Sequence, residues 1–298
     1  MIDPNTIQTQ PIPQEAFDWY DEYAHGAIDR REFLRRLATI TAVGVSLGAL
    51  TSALTPNYAL ADQISFNDPD ILATYATFDS PIGHGEGRGY LVKPKNLQGA
   101  APAILVVHEN RGLNPYIKDV ARRAAKAGFI AFAPDALHPL GGYPGNDDEG
   151  RTMQRSMDRS KIEQDFIAAA DHLRAMQDTT NIGAVGFCFG GYVVNMLAAT
   201  RSDLIDAGSP FYGTPAAREL WPNINSPLMV QLAENDKRVN STWTEYEKVL
   251  KSQKVDYSMH MYKGCQHGFH NDSTGRYNEF QATLAWERTL DFFSKHLA

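Results

Sequence analysis

Short apolar runs and amphipathic stretches alternate along most of this chain. Residues 103–107 (Ala-Ile-Leu-Val-Val) are apolar at every position, the pattern of a strand buried on both faces of a sheet. Residues 129–133, 181–187, 206–212, 226–232 and 257–262 also read as strands, and residues 87–93 as an earlier one. Residues 114–127 carry helical periodicity and stop at Gly128, a residue suited to closing a helix. In residues 161–176 the apolar positions Ile162, Phe166, Ala169, Ala170, Leu173 and Met176 form one helical stripe. Residues 190–200, 242–250 and 280–296 read as further helices. Strands alternating with helices imply right-handed crossovers, a mostly parallel sheet and helices on both of its faces. The segment between the strands ending at Tyr212 and beginning at Ser226 is too short for a large cap domain. Residues 137–158, rich in Gly and Asp, follow the C-terminal end of a strand and are a candidate substrate loop.

One junction carries chemistry. Gly186-Phe-Cys-Phe-Gly190 lies between the strand at 181–187 and the helix at 190–200, so Cys188 falls on a sharp strand-to-helix turn. This is the nucleophile elbow G-x-S-x-G with sulfur in place of oxygen. A helix N-terminus favours the thiolate, the form that attacks carbonyl carbon. After the next strand comes Asp236, in Ala233-Glu-Asn-Asp-Lys-Arg-Val239. After the strand that follows comes His267, in Lys263-Gly-Cys-Gln-His-Gly-Phe269. The chain order nucleophile, acid, histidine is that of the α/β-hydrolase fold. In that arrangement Cys188 attacks, His267 accepts its proton, and Asp236 fixes the imidazole tautomer. The backbone N–H groups of Phe189 and Asn110 are the expected oxyanion-hole donors.

Four separated elements make the chain resemble the dienelactone hydrolase (carboxymethylenebutenolidase-like) family over roughly residues 66–297. They are the cysteine elbow, Asp236, the Gly264-Cys-Gln-His-Gly-Phe269 segment, and Glu109 at a strand end in Val106-Val-His-Glu-Asn-Arg-Gly112. The resemblance implies a cofactor-free hydrolase of small esters or lactones working through an acyl-enzyme. It implies that Glu109 holds the thiol neutral and turned away until substrate displaces it; the other reading makes Glu109 a carboxylate bonded to Arg111 or a loop amide. It also implies arginines on a substrate carboxylate. Asn271 stands where one of these is expected, with Arg276 following. Arg111, Tyr143 and Arg276 are the candidate substrate contacts.

Several neighbours compete for roles. Glu234 could orient His267 in place of Asp236, although the spacing to Val239 favours Asp236. Cys265, His267 and His270 form C-x-H-x-x-H, but no fourth protein ligand accompanies them, so no metal site is expected. His108 reads as a packed strand-end residue and Cys265 as an incidental loop thiol. Besides the leading reading, the sequence fits a broad-specificity esterase or thioesterase. It also fits a non-catalytic, redox-responsive binding protein on a hydrolase scaffold, against which the intact Cys188, Asp236 and His267 argue.

Composition narrows the partners. A net charge of −7 excludes a nucleic-acid binder in any simple form, and two cysteines cannot build a disulfide scaffold. The N-terminus stands apart. Asp29-Arg-Arg-Glu-Phe-Leu-Arg-Arg36 has the twin-arginine pattern, residues 37–60 are uncharged, and Ala59-Leu-Ala61 offers a cleavage site. Residues 1–61 are therefore expected to be a leader that directs export, and residues 62–298 a single α/β-hydrolase domain. The alternative keeps residues 1–61 in the folded protein as a basic amphipathic helix followed by an apolar one. Gly44, Gly48, Thr51 and Ser52 weaken the apolar stretch as a membrane span.

Overall fold

A computed structural model describes residues 12–41, 46–54, 56–58 and 62–298. Eight strands form one sheet in the order β1-β2-β4-β3-β5-β6-β7-β8. β1 (Ile71–Ser80), β2 (Gly85–Pro94) and β4 (Ile130–Pro134) pair antiparallel in sequence along one flank. From β4 the sheet runs parallel through β3 (Ala101–Val107), β5 (Thr179–Phe187), β6 (Ala207–Phe211), β7 (Leu228–Asn235) and β8 (Tyr257–Gln266). The central strands are apolar at nearly every position because helices cover both faces. α6 (Arg159–Ala175), α7 (Phe189–Thr200) and α8 (Lys237–Ser252) pack into one core, and α4 (Pro115–Lys126) and α9 (Glu279–His296) into the other. This is the α/β-hydrolase architecture expected from the alternating pattern. β1, which precedes the expected strands, is an edge strand with half of its side chains exposed.

No large cap domain interrupts β6 and β7; the segment between them holds only a short 3-10 turn at Arg218–Asn223. Residues 137–158 contain a 3-10 turn at His138–Leu140 and a helix, α5 (Asp147–Ser156), capped by Asn146. N-terminal to the sheet, α1 (Gln14–His25), α2 (Arg30–Ile40) and α3 (Leu47–Leu54) gather around their own small core of Tyr20, Tyr23, Phe33, Leu37 and Leu54. Asp29 caps α2, and Arg30 and Arg31 remain exposed on it; Ala59-Leu-Ala61 lies outside the described residues. Among the described residues, no helix is long and apolar enough to cross a membrane.

The parallel strands end at one edge, where β3 and β5 lie side by side with their following helices on opposite faces, the position where open α/β sheets bind ligands. Two glycines let the β5–α7 turn form there. A Cβ on Gly190 would lie 2.2 Å from the Val107 carbonyl oxygen, and one on Gly186 would lie 2.1 Å from the Gly190 carbonyl oxygen. Both obstacles are backbone and cannot swing aside. Gly190→Ala should therefore cost roughly 1–3 kcal/mol or more, read as a lower melting temperature in thermal unfolding. Gly48→Ala on α3, outside the left-handed region and with an added Cβ no nearer than 4.0 Å to the Ser46 hydroxyl, isolates the close approach from loss of glycine as such. Equal melting temperatures for Gly190→Ala and the wild type would show that the turn tolerates the methyl group.

Candidate active site

Cys188 occupies the turn at φ 55° and ψ −110°, a backbone conformation that side chains avoid. Its N–H donates to the Phe211 carbonyl (3.1 Å) and its carbonyl accepts from Tyr192 (3.1 Å), so the strained residue is held from both sides. The N–H of Phe189 heads α7, immediately after the nucleophile position.

Asp236 sits between β7 and α8. One carboxylate oxygen caps α8 by accepting from the Val239 N–H (3.1 Å), and the other accepts from His267 Nδ1 (2.6 Å). The cap points the second oxygen at the histidine. Burial resists ionisation of Asp236, but His267 outweighs it and holds the carboxyl below its usual range. His267 Nε2 then faces Cys188. It is buried without a hydrogen-bond partner, and it lies within 4.8 Å of the sulfur. Burial works against a charged His267, yet Asp21, Asp236 and Cys188 lift its pKa to about 10. Burial likewise opposes the Cys188 thiolate, and His25 and His267 overcome it, holding the thiol well below its ordinary value. The arrangement is a buried thiolate–imidazolium pair oriented by a carboxylate.

The other sequence candidates separate cleanly. Glu234 accepts from the Gly264 N–H (2.8 Å) and plays no part at His267. His270 is buried in the core against Tyr116 (2.8 Å), and burial raises Cys265 to about 12, so neither joins His267 as a ligand set. His108 Nε2 accepts from the Ala136 N–H (3.1 Å), a packing role. Glu109 is buried close to the site. Burial raises its pKa, and its carboxylate accepts from Asn271 (3.0 Å) instead of bonding the thiol. Asn271, at the position expected to hold an arginine, thus fixes the strand-end carboxylate. Arg111 and Tyr143, expected as substrate contacts, both bond Asp147 (2.6 and 2.8 Å), and Arg276 stacks on the Tyr20 ring (4.7 Å). None of the three lines the cavity beside Cys188. Their interactions with one another and with α1 take up the groups that would have reached substrate.

That cavity has a volume of about 330 Å³. Its cations are Arg155, Arg159 and Arg238, and its apolar wall includes Phe189, Tyr192 and Ile162; the Asn110 and Phe189 positions both border it. Arg155 comes from residues 137–158, so that insertion does contribute to the site. Arg159 lies over the Tyr192 ring (4.3 Å). Arg155 has no carboxylate partner among the described residues, and burial and Arg151 lower its pKa. Its environment is therefore short of negative charge.

The largest departure from the sequence reading is α1. The last carbonyls of this helix, at Tyr23 and Ala24, accept from Arg151 (3.0 Å), Arg155 (3.4 Å) and the Asn110 amide (2.8 Å). Cations and amide donors at a helix C-terminus satisfy its orphan carbonyls and complement its dipole. Gly26 ends the helix at φ 78°. This docking sets His25 Nε2 3.2 Å from Cys188 Sγ and packs the His25 ring edge-on to His267 (4.9 Å between centroids). Asp21, one turn earlier, brings a buried carboxylate oxygen to 4.0 Å from His267 Nε2.

The electrostatics can be read directly from alkylation. A thiolate of lowered pKa stays ionised as the pH falls from 9 to 7, whereas an ordinary thiol loses roughly 20–30-fold of its thiolate over that range. The iodoacetamide rate at Cys188, followed by peptide mass spectrometry, should change by less than threefold across this window while Cys265 remains unmodified. A Cys188 rate that fell in step with a free thiol would refute the ion pair.

The chain is similar to known proteins over most of its length. The dienelactone hydrolase family model matches residues 88–297, and a YqhI-like family model matches residues 4–43. Protein usf of Aquifex pyrophilus is 35% identical over 221 residues, covering 70% of this chain and 94% of its own. A protein of Aquifex aeolicus named "Putative carboxymethylenebutenolidase" is 34% identical with the same coverage. The dienelactone hydrolase-like promiscuous phosphotriesterase P91, from metagenomic libraries, shares the fold with a TM-score of 0.67 and 24% identity, covering 77% of this chain and all of its own. The chain belongs to the dienelactone hydrolase family of α/β-hydrolases.

Proposed function

We propose that this hydrolase cleaves small carboxylic esters or lactones with Cys188 as nucleophile, His267 as general acid and base, and Asp236 as the residue that orients His267. The observation that carries this reading is the strained elbow holding Cys188 within reach of an imidazole whose far nitrogen is bonded to Asp236 at 2.6 Å. The sulfur attacks the carbonyl carbon, and the oxyanion that forms is stabilised by the N–H groups of Phe189 and Asn110. Collapse breaks the C–O bond as His267 gives its proton to the leaving alkoxide. Water, deprotonated by His267, then releases the acid and regenerates the thiolate. No cofactor enters this sequence. Glu109, held by Asn271, is proposed to act beside the nucleophile as the substrate-displaced restraint of the thiol. The twin-arginine element on α2 is proposed to direct export.

The cavity suggests the acyl part of the substrate. Arg155 and Arg238 line the cavity beside Cys188, Arg238 paired to Asp21 (3.5 Å), and Phe189 and Tyr192 supply a flat apolar wall. A planar ester or lactone bearing a carboxylate fits that combination.

Both parts can be measured with p-nitrophenyl esters and small lactones. Cys188→Ala should abolish turnover with an unchanged melting temperature, and Asp236→Asn should lower kcat by roughly 10³–10⁴ by analogy with a serine triad. Retained turnover in Cys188→Ala would end the proposed mechanism. Arg155→Gln should raise KM for a carboxylate-bearing ester by about tenfold, the size of a hydrogen bond to a charged group, and leave a neutral ester unaffected. Equal effects on both esters would remove Arg155 from substrate recognition.

A further inference from the structure

Three nitrogen and sulfur ligands converge at the mouth of the site, and only two of them belong to the proposed mechanism. His25 Nε2, His267 Nε2 and Cys188 Sγ all lie within 4.8 Å of one another. They come from α1, the β8–α9 loop and the elbow. A tetrahedral ion with bonds of about 2.0–2.3 Å holds its ligand atoms roughly 3.3–3.7 Å apart. The His25–Cys188 separation of 3.2 Å already matches, and the others need a contraction of about an ångström.

Both imidazoles are turned for ligation. His267 uses Nδ1 on Asp236 and leaves Nε2 buried and unpartnered. His25 Nδ1 lies 2.8 Å from the Asp21 carbonyl, which can only accept, so Nδ1 carries the proton. His25 Nε2 is therefore the nitrogen turned to the site, 3.2 Å from Cys188 Sγ and 3.0 Å from the Arg238 guanidinium. An oxygen acceptor behind each ligating imidazole is the arrangement that orients histidines in metal sites. The Asp21 carboxylate oxygen that lies 3.1 Å from His25 Nδ1 also stands 4.0 Å from His267 Nε2, available as compensating charge beside the ion. The cavity lined by Cys188, His25 and Arg238 gives an ion its entry path. Arg238 is 41% exposed and lies on that path, so it can withdraw to solvent when the ion takes its place at His25.

We propose that His25, Cys188 and His267 form a binding site for a thiophilic divalent cation of the zinc class, closed by the N-terminal helix. The ion displaces the His267 Nε2 proton to solvent and bonds that nitrogen and the thiolate sulfur, so its binding silences hydrolysis and pins α1 across the site. The silencing rests on Cys188 being the nucleophile; the site itself does not.

Cobalt(II) reports the ligands directly. The full chain, freed of metal by chelation, is titrated with Co²⁺, then with Zn²⁺. The wild type should show a thiolate-to-cobalt charge-transfer band in the near ultraviolet and tetrahedral visible bands, saturating at one ion per chain. Cys188→Ser should lose the charge-transfer band. His25→Ala should weaken cobalt binding more than about tenfold, as removal of one ligand requires, with its melting temperature unchanged. In the wild type, Zn²⁺ should bleach the cobalt spectrum and stop ester turnover reversibly. Measured against its own metal-free rate, His25→Ala should need more than tenfold more zinc for the same fractional inhibition. Absence of the thiolate band, or an undiminished band in His25→Ala, overturns the site. A band of the expected kind in a protein that hydrolyses no ester would leave the metal site standing and the hydrolase mechanism refuted. Ester turnover in a protein without the band would do the reverse.

Discussion

Everything at this site depends on the backbone of Cys188. A non-glycine residue held at positive φ stores roughly 1–3 kcal/mol of strain, and it persists only because its surroundings leave no relaxed alternative. Here β5 fixes one side, α7 the other, and β3 passes so close that Gly190 has no room for a side chain. The strain lifts the sulfur out of the strand and aims it across the ends of the sheet. From that position the electrostatics follow. The thiol meets an imidazole that Asp236 has already oriented, and burial strengthens the attraction between the charges that form.

The same edge of the sheet explains why α1 docks where it does. Donors and cations gather there, Asn110 beyond the end of β3 and Arg151 and Arg155 on α5. The C-terminus of α1 presents carbonyls of matching polarity. Tyr20 and Tyr23 add apolar contact against Phe33 (5.9 and 5.0 Å between ring centroids) and cation–π contact with Arg276 and Arg151. The helix thus occupies Asn110 and Arg155, both of which line the cavity beside Cys188.

The catalytic candidates were legible because each is announced locally. The glycines around Cys188 are demanded by a turn contained in five residues, and Asp236 and His267 follow strands whose apolar runs are unmistakable. β3 and β5 read correctly because burial on both faces leaves no polar position. β1 escaped notice since it is an edge strand, and its alternating side chains resemble a loop. Arg111, Tyr143 and Arg276 lie off the cavity beside Cys188 for a different reason. Arg111 and Tyr143 lie in the right loops, but whether their side chains reach the cavity depends on Asp147, and no sequence pattern specifies that choice. The role of α1 was invisible for the most general reason. Asp21 and His25 look like the polar face of an ordinary amphipathic helix, and the cysteine beside them is 163 positions away.

That separation also fixes an order of events during synthesis. α1 leaves the ribosome first, yet Arg238 is 213 positions and Gln266 is 252 positions downstream of the α1 residues they bond. Domains fold as their chains emerge, so the first helices spend most of translation with nothing to dock on. Throughout that interval Arg30 and Arg31 are exposed, as they remain on the folded α2. The residues of α1 reach Cys188 only after β8 has been made.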